Sequence, residues 1–270
     1  MTIGSKAACA RAYLLLVVLL IPASSQAQAP SPHDAQPERP TVGTHTATVA
    51  PGWVEIEAGF ERQATGTLAN SLSVPFVAKV GLSPQLQLNV APGWQRDADN
   101  GRIENGITDL LLAVKWRFCE GVPFVGNLAL QTAVSVPSGS EAAGRGTGSA
   151  GLNLILISSQ QFGRFALDVN LGYTRLGGDG TVAPNNSTLW SVSIGSPIAG
   201  RFGWCAEVFG FPGTSGPAGT RPIVAFLTGP TFVVRGPFVL DAGGIFDITG
   251  FGRTAVYGGL TWNVGRIWRQ

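Results

Sequence analysis

From Trp53 onward the chain alternates apolar and polar residues with a period of two, the mark of strands that present one apolar and one polar face. Val54, Ile56, Ala58 and Phe60 share one parity, and Glu55, Glu57, Gly59 and Glu61 share the other. Near Gln85, Leu86, Leu88 and Val90 oppose Gln85, Gln87 and Asn89, and further on Leu110, Leu112, Val114, Trp116 and Phe118 oppose Asp109, Lys115 and Arg117. If the apolar face meets lipid, inverting that last frame would turn two cations toward hydrocarbon at about 2–4 kcal/mol each near the midplane, which fixes the facing. Leu128, Leu130, Thr132, Val134 and Val136 continue the pattern, as do Phe165, Leu167, Val169, Leu171 and Tyr173 opposite Asp168, Asn170 and Thr174. Strands near 70–80, 149–158, 188–196, 202–210, 222–234, 238–246 and 254–264 are harder to phase. The sum is about twelve, and the expected fold is an all-β, antiparallel, up-and-down transmembrane β-barrel.

The connections support the same topology. With both termini on one side, the periplasmic one, odd connections should be long external loops and even ones short turns. The odd ones include Trp94 to Gly106, Pro137 to Gly148, Leu176 to Ser187 and Phe211 to Arg221, all polar and glycine-rich. Gly81-Leu82-Ser83-Pro84, Gln160 to Arg164 and Arg235-Gly236-Pro237 are compact. Aromatic residues gather near strand ends (Trp53, Trp94, Trp116, Phe118, Phe162, Trp190, Trp204, Trp262, Trp268), as interfacial girdles would require.

The N-terminus changes the picture from a barrel to an exported barrel. Lys6 and Arg11 precede an apolar run from Ala12 to Ile21, Pro22 breaks it, and small residues follow, so residues 1–27 read as a signal peptide cleaved after Ala27. The run is too short for a spanning helix, which needs roughly 17–25 residues. Removing Lys6 and Arg11 from 18 bases leaves 16 against 16 acids, without the basic footprint of a nucleic-acid binder. Charged residues make up 13% of the chain and glycine 37 of 270, an apolar composition that without long helices enters a membrane only as a closed barrel. The expected localisation is the bacterial outer membrane, with its lipid and the barrel-assembly machinery as partners. Residues 28–52 lack periodicity and read as a periplasmic tail, a disordered leader being favoured over a plug folded into the barrel. Residues 53–270 form the barrel.

Short motifs recur in order from about residue 39 to the end: Arg39-Pro40, Pro51-Gly52 before the Glu55 and Glu57 strand, Gly106-Ile107-Thr108-Asp109 leading to Lys115, Val136-Pro137-Ser138-Gly139, Asn170-Leu171-Gly172-Tyr173, the Glu207 strand, and Leu240-Asp241 before glycines. In these the chain resembles the outer-membrane transporters of the MetA-pathway of phenol degradation family. The resemblance implies a barrel that acts as a transporter, with links to aromatic degradation. Such barrels commonly end on an aromatic residue, whereas this chain runs past Trp268 to Arg269 and Gln270.

The barrel frame turns Glu55, Glu57, Glu61, Lys79, Asp109, Lys115, Arg117, Asp168, Glu207 and Asp241 toward the lumen. Their mixed signs either set selectivity for a small polar or amphipathic solute or simply satisfy one another. Twelve strands fall between side-chain-filled barrels of eight and open porins of sixteen to eighteen, so a narrow or gated passage is expected. No cofactor and no metal are expected: Cys119 and Cys205 lie on distant segments, free to pair or stay apart, and His33 and His45 sit outside every strand. The same histidine placement disfavours a Ser–His lipid hydrolase, because a nucleophilic serine needs a base in hydrogen-bond reach. Gly144-Arg145-Gly146-Thr147-Gly148 resembles a phosphate loop but has no helix after it and no lysine. The expected function is a channel or transporter for small compounds, hydrophobic or aromatic ones included; a non-transporting structural or adhesion barrel is the alternative.

Overall fold

The computed structural model describes residues 31–65, 69–99, 101–250 and 254–268. The expected signal peptide, with Cys9, and residues 28–30 lie outside the described residues. Fourteen strand segments follow: β1 (Trp53–Thr65), β2 (Ala69–Ser83), β3 (Leu86–Ala91), β4 (Gly93–Asp99), β5 (Arg102–Ile107), β6 (Leu110–Val122), β7 (Gly126–Val136), β8 (Gly151–Phe162), β9 (Phe165–Leu176), β10 (Asn186–Ala199), β11 (Phe202–Phe211), β12 (Ile223–Arg235), β13 (Phe238–Asp247) and β14 (Ala255–Arg266). Successive strands pair antiparallel except across the breaks between β3 and β4 and between β5 and β6, and β1 pairs with both β14 and β2, which closes the sheet. β3 and β4 together make the third wall strand and β5 and β6 the fourth, so the fourteen segments form a closed barrel of twelve strands. Closure matters physically, because the ring from β1 to β14 then offers lipid no open sheet edge; β5, which pairs with β4 alone, stands at the end of the barrel where β1 passes into β2.

The alternation read from the sequence is the alternation of the wall. On β1 and β6 Glu55, Glu57 and Lys115 are buried while Phe60, Leu112, Val114, Trp116 and Phe118 are exposed on the outside. The exposed apolar set continues around the barrel through Val134, Leu156, Leu171, Val192, Leu240 and Val264. A contiguous apolar exterior of this extent meets lipid rather than water. Trp116, Phe118, Phe162, Phe202, Trp204 and Trp262 are exposed near the short turns, where a girdle belongs.

One end of the barrel carries the tight connections, such as Gly163-Arg164 and Gly236-Pro237, together with the start of β1 and the end of β14; the other carries the long ones, 137–150, 177–185 and 212–222. One expectation fails here. Trp94 to Gly106 is not a loop but the β4–β5 hairpin, paired to the far half of β2 from Ala69 to Pro75. Pro92, which has no N–H to donate, divides β3 from β4, and Thr108-Asp109 divides β5 from β6. The hairpin escapes the alternation rule because both its faces carry polar residues, among them Gln95, Arg96, Asp97 and Glu104.

The apolar interior cluster on the opposite wall is a second departure. Cys205, Phe209, Ala225, Leu227, Ile245, Ala255 and Tyr257 bury together, on the same face of β11–β14 as Glu207 and Asp241, since Glu207 pairs with Leu227 and Gly259 with Asp241. These strands are apolar on both faces, which is why their phase was hard to read. The lumen is therefore polar on one side and partly apolar on the other, not polar throughout.

Candidate functional site

Residues 31–52 run among the inward side chains, and their backbone is satisfied by the wall. Gln36 N donates to Glu55 Oε2 at 2.7 Å and Glu38 N to Glu57 Oε1 at 2.7 Å. Val42 N and Gly43 N both donate to Glu207, at 2.6 and 2.8 Å. Thr44 N reaches Asn170 Oδ1 at 3.2 Å, Thr46 N reaches Ser159 Oγ at 2.8 Å and Val49 N reaches Gln87 Oε1 at 2.8 Å. A segment that lacks a ladder thus pairs its N–H groups with acceptors from β1, β3, β8, β9 and β11, as buried backbone requires. The preference for a disordered leader is corrected by this geometry: the absence of periodicity reflects side-chain acceptors spaced around a wall, not an absence of order.

Ion pairs reinforce the backbone contacts. Lys79 Nζ lies 2.6 Å from Glu55 Oε1, 2.8 Å from Glu57 Oε1 and 3.9 Å from Glu38 Oε1. Lys115 Nζ lies 2.5 Å from the same Glu38 oxygen and 3.1 Å from the His45 carbonyl. Both lysine side chains are fully buried, so each ammonium depends on these partners for what water would otherwise supply. Burial works against ionisation of Glu38, but Lys115 and Lys79 outweigh it and hold its carboxyl well below the usual range. Across the lumen Arg39 Nη2 meets Asp241 Oδ1 at 3.3 Å and the Gly258 carbonyl at 3.3 Å. A Cβ on Gly59 or Gly259 would come within 2.5 Å of the Arg39 guanidinium. The paired glycines at the seam of β1 and β14 are what let the arginine lie against the wall.

Arg39→Ala is therefore expected to leave Asp241 without its cation and to raise protease sensitivity of residues 36–46 at least several-fold in folded barrel, scored by the rate of cleavage. Unchanged protection would show that the pair does not hold the segment.

His45 ties the turn together, its Nε2 3.1 Å from the Pro37 carbonyl. Burial pushes its pKa down to about 4, Lys115 adding to the effect while Glu38 opposes it. The ring is neutral at pH 7. Because its pKa in the bound segment lies below the ordinary value near 6.5, the bound form is fully favoured above about pH 6.5 and loses stability as pH falls toward 4. Protease sensitivity of residues 36–46 in the folded barrel is expected to rise as pH falls through that window, and His45→Gln to abolish the rise arising from this group.

The ten residues expected in the lumen divide by position. Glu55, Glu57, Lys79, Lys115, Glu207 and Asp241 are buried inside the barrel, with Asp168 beside them bonded to Ser159 Oγ at 2.5 Å. Glu61 shares the inward face of β1 toward the far end and accepts from Gln63. Asp109 and Arg117 lie at the two ends of the barrel. Asp109 accepts from Gly139 N and Thr147 N at 2.9 and 2.8 Å and ties down the 137–150 loop, because β5 breaks from β6 just there. Arg117 sits at the turn end, bound to Glu120 at 2.9 Å and the Pro84 carbonyl at 2.8 Å. Glu38, Arg39, Gln87, Asn170 and Ser159 belong to the interior as well; the sequence marks Arg39 only as part of the Arg39-Pro40 motif and Glu38 not at all, because nothing periodic runs through their segment.

Cys119 is exposed and Cys205 buried, both as free thiols. Among the described residues no group of three metal-ligating side chains occurs, and the Gly144–Gly148 run lies in the 137–150 loop. Among them too, His45 Nδ1 has no hydrogen-bond partner, and its Nε2 faces a carbonyl, not a serine.

Beside the segment lies a cavity of about 640 Å³ that opens at the turn end between residues 34–45 and the inner faces of β9–β13. It exists because the wall there is built of small residues, Ala166, Gly195 and Gly203 among them.

No protein-family model and no curated protein sequence matches the chain. Among solved structures it is similar to the COG4313 outer membrane channel from Pseudomonas putida F1, at 9% identity and a TM-score of 0.64 over 83% of this chain and 99% of that one. It also matches the CymD monoaromatic hydrocarbon channel, at 9% identity and a TM-score of 0.44 over 81% and 90% of the two chains. The translocator domain of the autotransporter NalP from Neisseria meningitidis matches at 9% identity and a TM-score of 0.47 over 78% and 86%. Of these, the first likeness bears on the fold: this chain is an outer-membrane-type β-barrel.

Proposed function

We propose that the protein is an outer-membrane conduit for small compounds, hydrophobic or aromatic ones included, whose lumen is closed at rest by residues 31–52. The observation that carries this reading is the nature of the closure. The segment is held by hydrogen bonds and ion pairs to wall side chains, contacts that water can replace as the segment leaves. The two-sided lumen, with lysines and glutamates on one wall and Phe209, Leu227 and Ile245 on the other, suits a solute with a polar and an apolar part. The likeness to a channel of the COG4313 type and the motif resemblance to MetA-pathway transporters support the same reading.

The signal peptide, delivery by the assembly machinery and the outer-membrane location belong to this proposal. A structural or adhesive barrel would not need a removable closure. Swelling of liposomes that carry the refolded protein tests the difference. Flux of small neutral solutes above that of empty liposomes is expected, larger after the segment is cut away; no flux from either form would overturn a transport role.

A further inference from the structure

The cavity beside the segment has a chemistry of its own. Its body is lined by small and apolar groups, including Ala166, Gly195, Gly203 and Val239, while Arg164 and Arg201 stand at its mouth on the β8–β9 and β10–β11 turns and outnumber the one carboxylate there, Asp34, which accepts from Ser31 N at 2.8 Å. Among the described residues neither arginine forms an ion pair; Arg164 instead lies 5.2 Å from the Phe165 ring. At the deep end the charges are already engaged or negative. Arg39 is committed to Asp241, and Asp168 is bonded to Ser159. A ligand with one negative end therefore finds attraction at the mouth and repulsion at the bottom, which fixes its orientation. Asp168 lies four positions along from Arg164, about 13 Å of strand at roughly 3.3 Å per residue. That leaves room for an aromatic ring on a short chain. The volume also falls within the roughly 300–1,000 Å³ of small-molecule sites.

We propose that this cavity is a binding chamber for a small anionic amphiphile, an aryl or short alkyl carboxylate held at the mouth by Arg164 and Arg201 with its apolar part against the Gly195 and Gly203 wall. The assignment rests on the conduit reading and names where on the path a solute pauses and of what class it is.

The test is calorimetric binding to the full chain in lipid nanodiscs, with empty discs subtracted, using 4-phenylbutanoate, its neutral amide and 4-phenylbutylamine. The carboxylate is expected to bind at least tenfold more tightly than either analogue, and Arg164→Gln with Arg201→Gln to remove that preference. Gly195→Leu should abolish binding by filling the chamber. A Cβ there meets only the Trp204 carbonyl, at 3.6 Å, so the barrel should still fold, which heat-modifiable migration verifies. Equal binding of the three probes, tighter binding of the amine, or full affinity in the arginine double variant would overturn the anionic class. Absence of binding by every probe, or full affinity in Gly195→Leu, would overturn the chamber itself. Conductance of the segment-deleted barrel is read separately, so loss of the chamber and loss of the conduit give different results.

Discussion

Deleting residues 31–50 is expected to raise single-channel conductance in planar bilayers several-fold while leaving the barrel folded. The wall closes without the segment: β1 pairs with β14 and β2 along its length, and every strand-to-strand contact survives the deletion. What the deletion exposes is a lumen lined by Glu55, Glu57, Lys79, Lys115 and Glu207, whose charges water then solvates. Glu55, Glu57 and Lys79 remain paired across β1 and β2, so the emptied lumen keeps an internal ion cluster and some ion selectivity. Heat-modifiable migration checks the fold and the bilayer current checks the opening. Conductance equal to that of the intact chain would mean that the segment does not obstruct the path.

Glu38→Ala should achieve much of the same effect with one side chain. Glu38 is the partner of Lys115 at 2.5 Å and lies 3.9 Å from Lys79. Its removal leaves Lys115 buried with a carbonyl but no carboxylate among the contacts described above. Losing one member of a buried pair costs about 3–5 kcal/mol, enough to shift a bound segment toward release by about two to four powers of ten. The wall lysines regain water once the segment leaves, so the penalty falls on the closed state alone. The expected result is frequent long openings and faster proteolysis of residues 36–46. Glu38→Gln should lie between the two, because the amide still accepts a hydrogen bond without supplying the charge. A silent Glu38→Ala would show that the Lys115 pair is not what keeps the segment in place.

Much of the wall was legible in the sequence because charge and hydrophobicity agreed. On β1 and β6 a single frame puts Glu55, Glu57 and Lys115 inside and Phe60, Val114 and Trp116 outside, and no other frame survives the cost of a cation in lipid. On β12 that check is absent: from Ile223 to Val234 there is no charged residue, and Leu227 points inward as Phe226 points out. The β4–β5 hairpin was mistaken for a loop for the opposite reason, since polar residues on both faces carry no alternation. The interior was less legible still. Lumen residues could be named from parity, but the segment that meets them could not, because its order comes from Glu207, Asn170, Ser159 and Gln87 far along the chain. Asp109 had the right parity and the wrong height, and parity does not report height.

Solute is expected to pass only when the segment moves. Thr46 and Ser159 offer a direct test, because Thr46 N lies 2.8 Å from Ser159 Oγ; Thr46→Cys with Ser159→Cys, in a background where Cys119 and Cys205 are replaced by serine, is oxidised and the bridge verified by loss of free thiol before flux is read. Solute flux through proteoliposomes of this variant is to be measured oxidised and then after reduction. Closed when oxidised and flowing when reduced is the predicted result; equal flux in both states would contradict it.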